Sequence, residues 1–163
     1  MRIIGLAGWS GAGKTTLLTR LIPHLTGQGL RVATIKHAHH AFDVDVPGKD
    51  SFAHRQAGAT QVLVSSARRW ALMTELRDAP EPELAFLVAQ LNPADLVIVE
   101  GFKREAHPKI EVFRVANGKP WLHPDDPWIR AAASDTPPEG LPHAALDDIP
   151  AVAELVLRLA VPV

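Results

Sequence analysis

The sequence predicts a three-layer α/β domain: a mainly parallel sheet, helices on both faces and one added antiparallel hairpin. Three observations predict it. The glycine-rich stretch Gly8-Trp9-Ser10-Gly11-Ala12-Gly13-Lys14-Thr15-Thr16 sits between an apolar run and an amphipathic one. The alternating run from Leu30 to Lys36 then completes a strand–helix–strand unit, which is right-handed and parallel in such sheets. The run from Asp95 to Gly101 holds four consecutive apolar residues, the pattern of a strand buried on both faces.

Each element follows from local pattern. Met1 to Ala7 is a short apolar strand, and Leu17, Leu18, Leu21, Ile22 and Leu25 form the stripe of the first helix. Gly27-Gln28-Gly29 stops that helix, and residues 30–36 form the second strand. Residues 37–51 have no apolar period and leave the carboxyl end of a strand, where ligands bind in open α/β sheets. Asp50 and Ser51 suit the cap of a helix over 51–57. Gln61–Ser66 and Trp70–Leu76 flank a polar turn and read as a hairpin, either an edge addition or an arm. Residues 81–91 read as a helix with Pro82 in its first turn, ended by Asn92-Pro93. Lys109 to Val115 alternates strictly and predicts a strand with one wet face. Trp128 to Asp135 reads as the last strand, and Pro137 to His143 as a loop. Asp148-Ile149-Pro150 opens a closing helix that buries Val152, Leu155, Val156 and Leu159.

Composition narrows the chemistry. The 163 residues suit one domain spanning 1–163. A chain of this length buries a real core unaided. It has no cysteine, so disulfides, thiolate metal sites and thiol catalysis are excluded. The net charge of −1 does not support a nucleic-acid partner. The first residues lack the pattern of a signal peptide, and no run reaches the ~18 apolar residues of a membrane span. A cytoplasmic protein with no membrane partner is expected.

The stretch from Gly8 to Thr16 matches the phosphate-binding pattern G-x-x-x-x-G-K-[ST] without a gap. Its glycines allow the backbone to approach a phosphate and turn successive N–H groups inward. The start of the following helix adds a positive dipole end. Lys14 is placed to reach the β- and γ-phosphates and the Thr15 hydroxyl to ligate Mg2+. Such a site needs a second strand that brings an acid to the metal, and Glu100 stands at the end of the strand over 95–101. Lys14 and Glu100 are therefore the candidate catalytic pair. Lys103 adds positive charge beyond Gly101. Asp135, at the mouth of a strand, is able to accept from guanine N1–H and N2–H2, or else it caps the turn before Pro137. His37, His39 and His40 lack a diagnostic metal spacing and are candidates for contact with a substrate or anion.

Taken together, the phosphate loop, the loop from His37 through Pro47-Gly48-Lys49-Asp50-Ser51, the strand ending Glu100-Gly101-Phe102-Lys103, the segment Pro108-Lys109-Ile110-Glu111-Val112 and Ser134-Asp135 occur in one order. In this the chain resembles the molybdopterin-guanine dinucleotide biosynthesis protein B family along nearly its whole length. The resemblance implies a three-layer P-loop NTPase fold and a GTP-binding, weakly GTP-hydrolysing homodimer. It implies an accessory role beside the molybdopterin guanylyltransferase enzyme that converts molybdopterin to molybdopterin guanine dinucleotide, with molybdopterin itself a further candidate partner. It implies that residues 8–16 bind GTP and Mg2+, that Asp50 and Glu100 are the acids on the Mg2+ side, and that Asp135 contacts guanine. Related dimeric P-loop proteins carry a second lysine near the start of the loop. Trp9 and Ser10 stand there in this chain, which fits slow hydrolysis. Two other readings share the loop: a small-molecule kinase, and a metal-delivery NTPase using His37, His39 and His40.

Overall fold

In the computed structural model, residues 1–38, 42–103 and 105–163 are described. His39 and His40 therefore lie outside the described residues. The chain forms two compact units, Met1–His37 with Leu84–Val163, and Ala38–Glu83.

The first unit contains strands β1 (Arg2–Ala7) and β2 (Val32–Lys36), with helix α1 (Lys14–Gly27) between them. The second unit contains helix α2 (Asp50–Gln56) and strands β3 (Gln61–Ser65) and β4 (Trp70–Thr74). The first unit resumes with α3 (Leu84–Ala89), β5 (Leu96–Glu100), β6 (Lys109–Phe113), β7 (Ile129–Ser134), β8 (His143–Ala145), α4 (Ile149–Leu159) and β9 (Val161–Pro162). Its sheet runs β2-β5-β1-β6-β7-β8. All of these neighbours are parallel, and β9 adds an antiparallel bridge at Arg2 and Ile3. β6 pairs with β1 only from Gly5 onward, so β9 occupies the stretch of edge that β6 leaves open.

Alternation along the strands sorts the core into two layers. Ile4, Leu6, Leu96, Ile98, Ile110, Val112, Ala131 and Ala133 face α1 and α4. Ile3, Val97 and Val99 face α3 on the other side, through Leu84 and Val88. The mainly parallel sheet with helices on both faces is as the sequence predicts.

The expected antiparallel hairpin is present as β3–β4, and of its two placements the edge addition is excluded, because it forms a separate two-stranded sheet. The structure corrects several other local expectations. β7 is not the last strand, and His143 begins β8 where a loop is expected. The helix expected over 81–91 is confined to Leu84–Ala89. Pro82 disfavours helical geometry at the residue before it. At the other end, Gln90 and Leu91 donate to the carbonyls of Leu87 and Val88, tightening the last turn. α2 begins at Asp50 behind Lys49 without a side-chain cap, and Ser51 Oγ instead donates to Asp45 at 2.9 Å. α4 does begin on Asp148, whose carboxylate accepts from Ala151 N–H at 3.1 Å.

The largest correction concerns β6. Its alternation promises a wet face, yet Lys109 and Glu111 are 1% and 0% exposed. The segment over 121–126 covers them. Lys109 Nζ donates to Asp126 at 3.0 Å and to the Lys103 carbonyl at 2.9 Å. Glu111 accepts from the N–H groups of Leu122 and His123 at 2.7 and 3.0 Å. Each buried charge is thus matched, as burial requires.

Candidate functional site

β1 is central in its sheet, and its carboxyl end opens into the phosphate loop. Gly8, Gly11 and Gly13 have φ of 146°, 82° and 97°. At Gly8 a Cβ would come 2.6 Å from the Val112 carbonyl oxygen, so no side chain fits there. Gly13 precedes α1 in the left-handed conformation, with no side-chain cap and no acid in the helix's first turn. The first N–H groups of α1 therefore remain free to meet an anion. Thr15 and Thr16 are exposed on that turn.

Lys14 folds back over the loop. Its ammonium donates to the carbonyls of Gly8 and Trp9 at 2.9 and 3.0 Å. Burial holds its pKa below the ordinary lysine value, Lys103 and Lys36 push the same way, and Glu100 opposes them. Lys14, Glu100, Lys103 and Lys36 thus share one electrostatic neighbourhood. Register explains it, because Glu100 pairs with Leu6 of β1 on one side and Lys36 of β2 on the other.

Beyond Glu100 the chain turns through Gly101 and Phe102, with φ of 95° and 45°. A Cβ on Gly101 would lie 2.6 Å from His37 Cβ. His37 N–H donates to the Glu100 carbonyl at 2.8 Å, and its ring stands 4.8 Å from that of Phe102. His37 therefore belongs to the Glu100 strand end. Lys103 places its ammonium 5.2 Å over the Trp9 ring, bringing it to the loop as a cation–π pair.

A group that sequence reasoning missed closes the opposite side. The segment after β6 clasps the loop: Asn117 Nδ2 donates to the Ser10 carbonyl at 3.2 Å, and Trp9 Nε1 to the Pro120 carbonyl at 2.8 Å. Arg114 lies against Gly13, with Nε 3.0 Å from where a Cβ would stand. The available signal was position, since Arg114 directly follows a strand that sheet order places next to β1. Asp135 joins the same cluster by accepting from Val115 N–H at 3.0 Å. Its second oxygen stands 3.3 Å from that nitrogen, and free lone pairs remain for a base.

Asp50 is exposed in the first turn of α2, in the other compact unit. Among the described residues no group of three or more His, Asp and Glu side chains is placed to hold a metal. A divalent ion at this site would draw on the Thr15 hydroxyl, Glu100 and phosphate oxygens, the hard donors Mg2+ prefers. The donor set and the unspent N–H groups fit a magnesium–nucleotide. A groove of about 610 Å3 elsewhere, lined by Ile3, Leu84, Val88, His107 and Val161, is apolar and carries none of this chemistry.

Comparison with known proteins gives the family. A family model described as molybdopterin guanine dinucleotide synthesis protein B matches residues 3–135. The Escherichia coli protein named molybdopterin-guanine dinucleotide biosynthesis adapter protein is 47% identical over 161 residues, spanning 96% of this chain and 91% of its own. The Haemophilus influenzae protein of the same name is 43% identical, over 94% and 86% of the two chains. A crystal structure of molybdopterin-guanine biosynthesis protein B superposes with a TM-score of 0.78 at 29% identity, covering 96% of this chain and 99% of that one. A phosphate loop at the centre of a parallel sheet, in a chain matched from its first strand to Asp135, places this protein in the molybdopterin guanine dinucleotide synthesis protein B family.

Proposed function

We propose that the protein is a GTP-binding adapter in molybdenum cofactor biosynthesis. It assists the guanylyltransferase that converts molybdopterin to molybdopterin guanine dinucleotide. The observation that carries this reading is the uncapped start of α1 behind Gly13, with Lys14 poised over it and Glu100 at the neighbouring strand end. Lys14 exchanges its contacts with the Gly8 and Trp9 carbonyls for phosphate oxygens. Thr15 and Glu100 hold Mg2+, with Asp50 a further candidate acid, and Asp135 receives the guanine edge. When bound, Mg2+ would supply charge neutralisation at the phosphates. Hydrolysis is weak, because Trp9 and Ser10 stand where related dimeric P-loop proteins carry a second lysine.

Calorimetry with GTP and ATP in the presence of Mg2+ tests the proposal. GTP binds more tightly than ATP, and Lys14→Ala abolishes binding. Unchanged affinity in that variant would remove the phosphate-loop assignment. GDP release that depends on an added small-molecule acceptor would favour a kinase instead.

A further inference from the structure

Arg114 is half-buried beside the phosphate loop. Measured from where a Cβ on Gly13 would stand, its Nε lies at 3.0 Å, Nη2 at 3.7 Å and Cζ at 3.8 Å. Nε and Nη2 form one edge of the guanidinium, the fork that binds carboxylate or phosphate through two parallel hydrogen bonds. That edge borders the residue behind which the free N–H groups of α1 begin. Among the described residues the guanidinium makes no hydrogen bond and no ion pair. The nearby acid, Asp135, is turned to the Val115 N–H instead.

The backbone of Arg114 is also fixed to the loop it faces. Its carbonyl accepts from Asn117 N–H at 3.0 Å, and the Asn117 side chain donates to the Ser10 carbonyl at 3.2 Å. A planar cation is thus held against an anion-binding nest with all its donors unspent. These donors are open to solvent in the free protein, and an oxyanion in the nest would meet them with charge-assisted bonds.

We infer that Arg114 is a second phosphate-binding cation of this site, its Nε–Nη2 edge binding terminal phosphate oxygens of a nucleoside di- or triphosphate. The inference rests on the nucleotide reading of residues 8–16. Lys14 reaches the phosphates as a point charge from the helix, whereas Arg114 approaches from the strand neighbouring β1 with directional bonds. Both cations belong to the same chain as the loop they face.

Calorimetry on the full chain with Mg2+ and GTP, GDP or GMP, for wild type, Arg114→Ala and Arg114→Lys, tests this. Arg114→Ala weakens GTP and GDP by about 10- to 100-fold and GMP far less, because GMP lacks the terminal phosphates. Arg114→Lys recovers part of the loss, since it keeps the charge and loses the fork. Wild-type GTP affinity in Arg114→Ala overturns the inference and leaves the nucleotide reading standing. So does an equal loss for GTP and GMP, which would mark a packing role. A wild-type chain that binds none of the three nucleotides overturns both. If Arg114→Ala does not fold, Arg114→Lys decides by the same comparison of GTP with GMP.

Discussion

His107 sets part of the protein's response to acid. Its ring lies against Gly5, where a Cβ would come 2.5 Å from Nε2, and both ring nitrogens are buried without a partner among the described residues. Burial, with Lys109 adding to it, pushes the imidazole down to about 4, while Asp126 pulls slightly the other way. An unfolded histidine titrates near 6.5. Above that pH the ring is neutral in both states and contributes no pH dependence. As pH falls from about 6.5 to 4, the unfolded chain binds a proton that the folded chain refuses, so stability is lost over that window. Thermal melts from neutral pH to pH about 5 should show wild type losing more stability than His107→Leu. Parallel curves would exclude this residue as the cause. At this scale Lys14 and Glu100 were legible because a motif and a strand end announce them. Arg114 was not, because its meaning depends on β6 lying beside β1, and nothing in Phe113-Arg114-Val115 states which strand is its neighbour.

The elements show why pattern reading succeeded for β1, β5 and α1 and failed for β6. A continuous apolar run has one good environment, but an alternating run has two: half wet, or half covered by polar structure. Lys109 and Glu111 take the second, because the segment over 121–126 supplies Asp126 and two backbone N–H groups. The stacked rings of Phe113 and Trp121, 3.7 Å apart, hold that segment down. Removing one partner should therefore be severe. Asp126→Ala leaves the Lys109 ammonium buried beside a single carbonyl, a loss on the order of 3–5 kcal/mol for a broken buried pair. Urea denaturation would measure it, and a change under about 1 kcal/mol would mean that the pair is effectively solvated. β8 and β9 were missed for another reason. At three and two residues they are too short to carry a period, and β9 contains Pro162.

For the molecule as a whole, the open issue is what the second unit does with its apolar surface. Its hairpin is an isolated two-stranded sheet, a form that is marginal in water by itself. Arg55 braces the unit, binding Asp43 at 2.7 Å and Glu75 at 2.6 Å. The strands nevertheless leave Leu63, Leu72 and Trp70 exposed on one face, with Trp70 at 58%. An apolar cluster of this kind on a strand pair is characteristic of an interaction surface. The family resemblance implies a homodimer, and an isologous contact through this hairpin, in which each residue would serve twice, is the arrangement to test. Replacing Trp70 and Leu72 together with Ser and Asp should then shift the protein from dimer to monomer in size-exclusion chromatography with light scattering. The first unit has its own core, so GTP affinity should survive the change. A wild-type monomer, or a double variant that stays dimeric, would assign the hairpin's apolar surface to another partner. A dimer whose loss also abolished GTP binding would mean that the second subunit completes the nucleotide site formed by Lys14, Glu100 and Arg114.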